Sequence, residues 1–159
     1  MNQSSSFRLQ QASSRNAIIL GVALIGAALL GTLVVRSHLK SRAESNLKVC
    51  EAHLKNISVA LDMYAKEQGG AYPQSLQVLV PSILPALPQC PAPYDSRGQW
   101  VDTYSSSYRL TPAENTEGAS YSFHCQGDNH PGLVEANFPA FHSKVGPIRH
   151  PEQMPAGRG

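Results

Sequence analysis

AIILGVALIGAALLGTLVV, residues 17–35, contains no charge and no strongly polar side chain. Nineteen such residues are just enough to cross a bilayer as one helix. The composition changes beyond Val35, but the helical signal continues. Leu39, Ala43, Leu47, Cys50, Leu54, Ile57, Leu61 and Tyr64 follow one another at steps of three or four, which puts them on one helical face. The chain therefore reads as a membrane span and an amphipathic helix in one rod of roughly 50 residues, about 75 Å long at 1.5 Å per residue.

The rest of the chain is short. Of 159 residues, those after Val35 suffice for one small domain. Lys plus Arg number 13 and Asp plus Glu 11, a net charge of +2 that gives no reason to expect nucleic acid. Arg8 and Arg15 precede the span, whereas Arg36, Lys40, Arg42 and Lys48 follow it, so the positive-inside rule leaves orientation ambiguous or slightly reversed. A cleaved secretory signal competes with a retained anchor. The run is longer than a usual signal core, no clean Ala-x-Ala site follows, and the helical pattern continues through the place where cleavage would fall, so a retained anchor is expected. Ala23, Ala27 and Gly31 are spaced four apart and would let a second membrane helix approach closely.

The expected organisation is a flexible cytoplasmic tail over 1–16, a span over 17–35, the amphipathic continuation over 36–68, a small head over 69–146 and a loose tail over 147–159. Gly69-Gly70 should end the helix, and Pro73 forbids its easy continuation. Ser75–Val80 can form a short helical turn, and Pro81, Pro85, Pro88, Pro91 and Pro93 make the next stretch a rigid crossover. Strands are expected at Gln99–Tyr104, Ser107–Leu110 and Ala119–Cys125, the last placing Tyr121, Phe123 and Cys125 on one side. Thr111–Glu117 would connect the last two, and regular structure is doubtful from Gln126 onward. The fold class is α+β, a long helix whose apolar stripe covers a small antiparallel sheet, since neither element can bury its apolar side alone.

Three cysteines allow one internal disulfide at most. Cys90 in the proline segment and Cys125 at a strand end are the expected pair, which calls for an oxidising compartment and places the head outside the cell membrane. Cys50–Cys90 and Cys50–Cys125 stay open, and Cys50 on the apolar stripe otherwise reads as a small buried hydrophobe. His124, Cys125, His130 and His142 hold enough donors for zinc. Against this, His124 should alternate away from Cys125 on a strand, and no Cys-x2-Cys or His-Glu-x-x-His is present, so loop histidines are the preferred reading. Asp128 and Asn129 beside Gly127 are the candidate calcium donors, but two residues make no cage and a polar turn is preferred. No cofactor is expected. The chain has no Gly-x-Ser-x-Gly elbow, phosphate loop or redox Cys-x-x-Cys, and no enzymatic activity is expected.

Leu61–Tyr64 reads Leu-x-x-Tyr, Gly70–Pro73 reads Gly-x-Tyr-Pro, and Leu76–Leu79 reads Leu-x-x-Leu. In this order the three resemble the helix end and helix-to-sheet connection of type IV pilin-like proteins, particularly the major pseudopilins of type II secretion. QCP around Cys90, YSFHCQGDNH ending at His130 and NFPAF over Asn137–Phe141 resemble a pilin-like subgroup with cysteines in similar positions. The chain departs from that family before the span, where Ser14-Arg15-Asn16 stands in place of a leader ending in glycine and followed by Phe-Thr-Leu-Ile-Glu.

The resemblance implies a single-pass protein of the bacterial cytoplasmic membrane, a non-enzymatic structural or adaptor component of a secretion or pilus-type system, with its head in the periplasm. It would meet protein partners or itself through the long helix. Leu47, Leu54, Ile57, Leu61 and Tyr64 would carry packing, and Gly70, Tyr72 and Pro73 would fix the turn onto the head. An anchored extracytoplasmic module that binds calcium or another ligand is the alternative.

Overall fold

The computed structural model describes residues 4–92, 101–112 and 118–155, with side chains from Ile19 onward. Pro93 of the crossover, the first residues of the expected Gln99–Tyr104 strand and most of the Thr111–Glu117 connection lie outside the described residues. The fold is α+β. Helix α1 runs from Ser4 to Glu67 and passes through two compact units, residues 1–41 and residues 42–159.

Among the described residues the first unit is helix alone. It begins at Ser4 rather than at the span, because neither proline nor glycine interrupts the chain between Ser4 and Asn16. From Ile19 to Val35 the large apolar side chains are 57–71 % exposed. This is one helix long and apolar enough to cross a membrane.

The second unit holds the core. Burial on α1 starts at Leu47, not at Leu39, which is exposed. From there Leu47, Cys50, Leu54, Ile57, Leu61 and Ala65 form the buried stripe at the helical period. Its cover is a four-stranded antiparallel meander in the order β1-β2-β3-β4: β1 Arg109–Thr111, β2 Ser120–His124, β3 Ala140–His142 and β4 Gly146–Ile148. Alternation along β2 buries Tyr121 and Phe123, and Cys125 just beyond the strand end is buried too. Phe123 sits opposite Phe141 across the β2–β3 pair, with ring centroids 5.8 Å apart.

Two glycines make the helix-to-sheet turn. Gly69 and Gly70 take φ of 65° and 98°, a left-handed stretch that β-carbons resist, and the Gly70 amide donates back to the Ala65 carbonyl. Tyr72 then meets Tyr121 edge to face at 4.8 Å, and the Tyr108 hydroxyl donates to the Pro73 carbonyl. A 3-10 turn, Leu76–Leu79, buries both of its leucines in the core.

Two expectations fail here. Residues 101–103 form no strand, because the Asp102 carboxylate accepts from the amides of Tyr104 and Ser105 and turns the chain into a 3-10 segment, Ser105–Ser107. The expected loose C-terminal stretch contributes β4. Ile148 is fully buried opposite Ala140, and Arg149 makes a two-pronged ion pair with Glu51 of α1.

Candidate metal centre

Cys50 stands on the buried stripe of α1, one turn before Leu54. Cys90 lies within the proline-rich crossover, Cys125 follows β2, and His130 lies in the loop between β2 and β3. All four are buried, the cysteines completely and His130 to within 3 %. Their three Sγ atoms and one imidazole nitrogen all lie within 4.8 Å of one another, and Cys90 Sγ is 3.4 Å from His130 Nε2.

Each donor is placed by its own local structure. Helical periodicity fixes Cys50, and strand alternation carries Cys125 to the same side as Tyr121 and Phe123. The Cys125 amide donates to the Pro139 carbonyl. The loop carrying His130 is pinched where the Gly127 amide donates to Asn137 Oδ1 and the Asn137 amide donates to the Gly127 carbonyl. Gly127 at φ 105° and Asn137 at φ 65° supply the left-handed backbone this pinch requires.

A second layer surrounds the sulfurs. The Tyr104 hydroxyl lies 3.2 Å from Cys50 Sγ, Thr103 Oγ1 lies 3.5 Å from Cys125 Sγ, and Asn129 Nδ2 donates to Cys125 Sγ at 3.2 Å. These groups suit sulfur that carries negative charge. Hydrogen bonding from Cys50 and then Cys90 pulls the Cys125 thiol below its ordinary range. The same contacts, with burial, push Cys50 up, and hydrogen bonding to Cys125 is the main cause that holds Cys90 up at about 12.

The expected Cys90–Cys125 disulfide is not formed, and all three cysteines are free thiols. Three sulfurs and an imidazole share one small volume, so no cysteine pair is singled out by position. The oxidising-compartment argument for the head's location falls with it. Of the four residues weighed for zinc, the structure brings together Cys125 and His130. Among the described residues, His124 and His142 do not belong to the group. His124 occupies the alternate position on β2, where burial lowers its pKa.

Asp128 is exposed, and Asn129 offers the cluster its amide nitrogen rather than an oxygen. In the sequence Cys50 reads as a small buried hydrophobe or as an alternative disulfide partner of Cys90 or Cys125, and not as a metal donor. Its only signal was that the stripe position held a thiol, in a chain with two further cysteines and six histidines, and long intervals hid the grouping. Of the residues expected to carry packing, Leu47, Leu54, Ile57 and Leu61 are buried and Tyr64 is half-buried against the core. Ala23, Ala27 and Gly31 lie in the helix-only unit.

No family model, curated protein or solved structure matches this chain.

Proposed function

We propose that this protein is a non-enzymatic, membrane-anchored structural or adaptor component of pilin-like build, with its span in a bacterial cytoplasmic membrane. One observation carries the reading: α1 is apolar and exposed from Ile19 to Val35, then becomes one-sided and buried from Leu47 to Ala65. A helix of the first kind finds its cover in lipid, and one of the second finds it in its own sheet.

The Gly-x-Tyr-Pro turn supports the pilin-like form, because Tyr72 and Pro73 are engaged by Tyr121 and Tyr108 at the junction of helix and sheet. The resemblance favours an extracytoplasmic head; Arg36, Lys40, Arg42 and Lys48 weigh for the opposite side. In the proposed role the span and the exposed part of α1 engage partners or further copies, while the sheet side of the helix is occupied by the head.

Alkaline carbonate extraction tests the anchor. The full chain should stay in the membrane pellet, and release into the supernatant would overturn the reading. Labelling of Lys55, Lys66 and Lys144 by a membrane-impermeant amine reagent in spheroplasts tests the side. Labelling without lysis supports an extracytoplasmic head, and labelling only after lysis overturns that orientation and with it the pilin-like placement.

A further inference from the structure

We infer that Cys50, Cys90, Cys125 and His130 bind one zinc ion as a closed structural site that ties α1, the proline crossover and the β2–β3 loop together. This goes beyond the anchoring role and does not depend on it.

The donor set decides the class of metal. Three thiolates and an imidazole form one of the sets that hold structural zinc, and soft sulfur ligands disfavour magnesium and calcium. Size agrees. With Zn–S near 2.3 Å and Zn–N near 2.0–2.1 Å, tetrahedral coordination separates two sulfurs by about 3.8 Å and sulfur from nitrogen by about 3.5 Å. The observed Cys90–His130 separation is 3.4 Å, and every pair of donor atoms lies within 4.8 Å. One ion fits that spacing.

Burial decides the role. Zinc that acts on substrate keeps a position open to water, whereas here all four donors are protein groups and all are buried. The charge balance also fits. Three thiolates and Zn²⁺ leave one net negative charge, spread over sulfurs that face Tyr104, Thr103 and Asn129. Binding releases the thiol protons to solvent and changes no oxidation state. The site joins segments that otherwise rely on a small core, and the crossover has little regular structure of its own.

The test is metal analysis of the full chain, without a histidine tag, purified in detergent under argon with neither chelator nor reductant. About one zinc per chain by plasma mass spectrometry is expected. Cobalt exchanged into the site should give thiolate-to-cobalt charge-transfer absorption and the visible bands of a tetrahedral ion. His130→Ala should lose the metal, and His130→Cys should retain it, since four cysteines also make a zinc site. Should the alanine variant fail to fold, cobalt spectroscopy of the unaltered chain still decides. Zinc at background level overturns the inference, whether the mass shows three thiols or has fallen by the two hydrogens of a disulfide. So does zinc that survives Cys125→Ser undiminished.

Discussion

Asn129 and Tyr104 illustrate how much depends on single side chains. Each places one polar group on a buried sulfur, and neither is itself a donor for the metal. Loss of such an outer contact typically costs 10–100-fold in metal affinity. Asn129→Ala is therefore expected to weaken zinc binding by about 10-fold, read by competition with a chromophoric chelator, while the fold persists by circular dichroism. Unchanged affinity would remove Asn129 from the site. Ile57 tests the core in a different way. It is fully buried beneath the sheet, so Ile57→Ala should destabilise the head by about 2–5 kcal/mol. Met63→Ala on the half-exposed face should stay within about 0.5 kcal/mol. Thermal melting followed through the tyrosine near-ultraviolet signal measures both. At this scale the packing residues were legible, because a helical period of apolar side chains has few other uses. The metal donors were not, because proximity across four separate segments leaves no local spacing to read.

Among the elements, α1 answers to two environments. An arginine at the centre of a span costs about 2.5–3.5 kcal/mol on insertion scales. Leu24→Arg combined with Leu29→Arg should thus release a large share of the chain into the carbonate-soluble fraction. Both side chains are exposed and outside the core, so the fold of the head should be unaffected. The end of the helix makes a separate prediction. Gly70 at φ 98° adopts a backbone that costs an L-residue roughly 1–2 kcal/mol. Gly70→Ala should lower the melting temperature accordingly, whereas Gly26→Ala, within the helix and with open space around it, should not. The helix, its stop and the strand containing Tyr121 and Phe123 were legible because period and breaker residues mark them directly. Strand β4 was not. Gly146–Ile148 holds a proline and a glycine and gains strand form only from pairing with β3 and burial of Ile148. The Asp102 turn was hidden for a related reason: a side-chain carboxylate offered the backbone an alternative to extended pairing.

Over the whole molecule, the chain divides at Ser41–Arg42 into a helix-only unit and a head unit, and α1 belongs to both. In the second unit α1 supplies Cys50 to the buried donor group and Leu54, Ile57 and Leu61 to the core, so the helix that carries the apolar run is also a wall of the head. The α+β class and this double use of one helix follow from the uncharged run and the stripe after it; the side of the membrane does not, since it was argued from a disulfide that the thiol cluster replaces. The most direct test is hydrogen–deuterium exchange on the full chain in lipid nanodiscs, resolved by peptide. Slow exchange is predicted over residues 19–35 and again over residues 47–65, the first depending on the bilayer and the second persisting in detergent. Fast exchange across residues 19–35 in the nanodisc, with residues 47–65 still protected, would mean that the helix walls the head but does not anchor it, and would contradict the account.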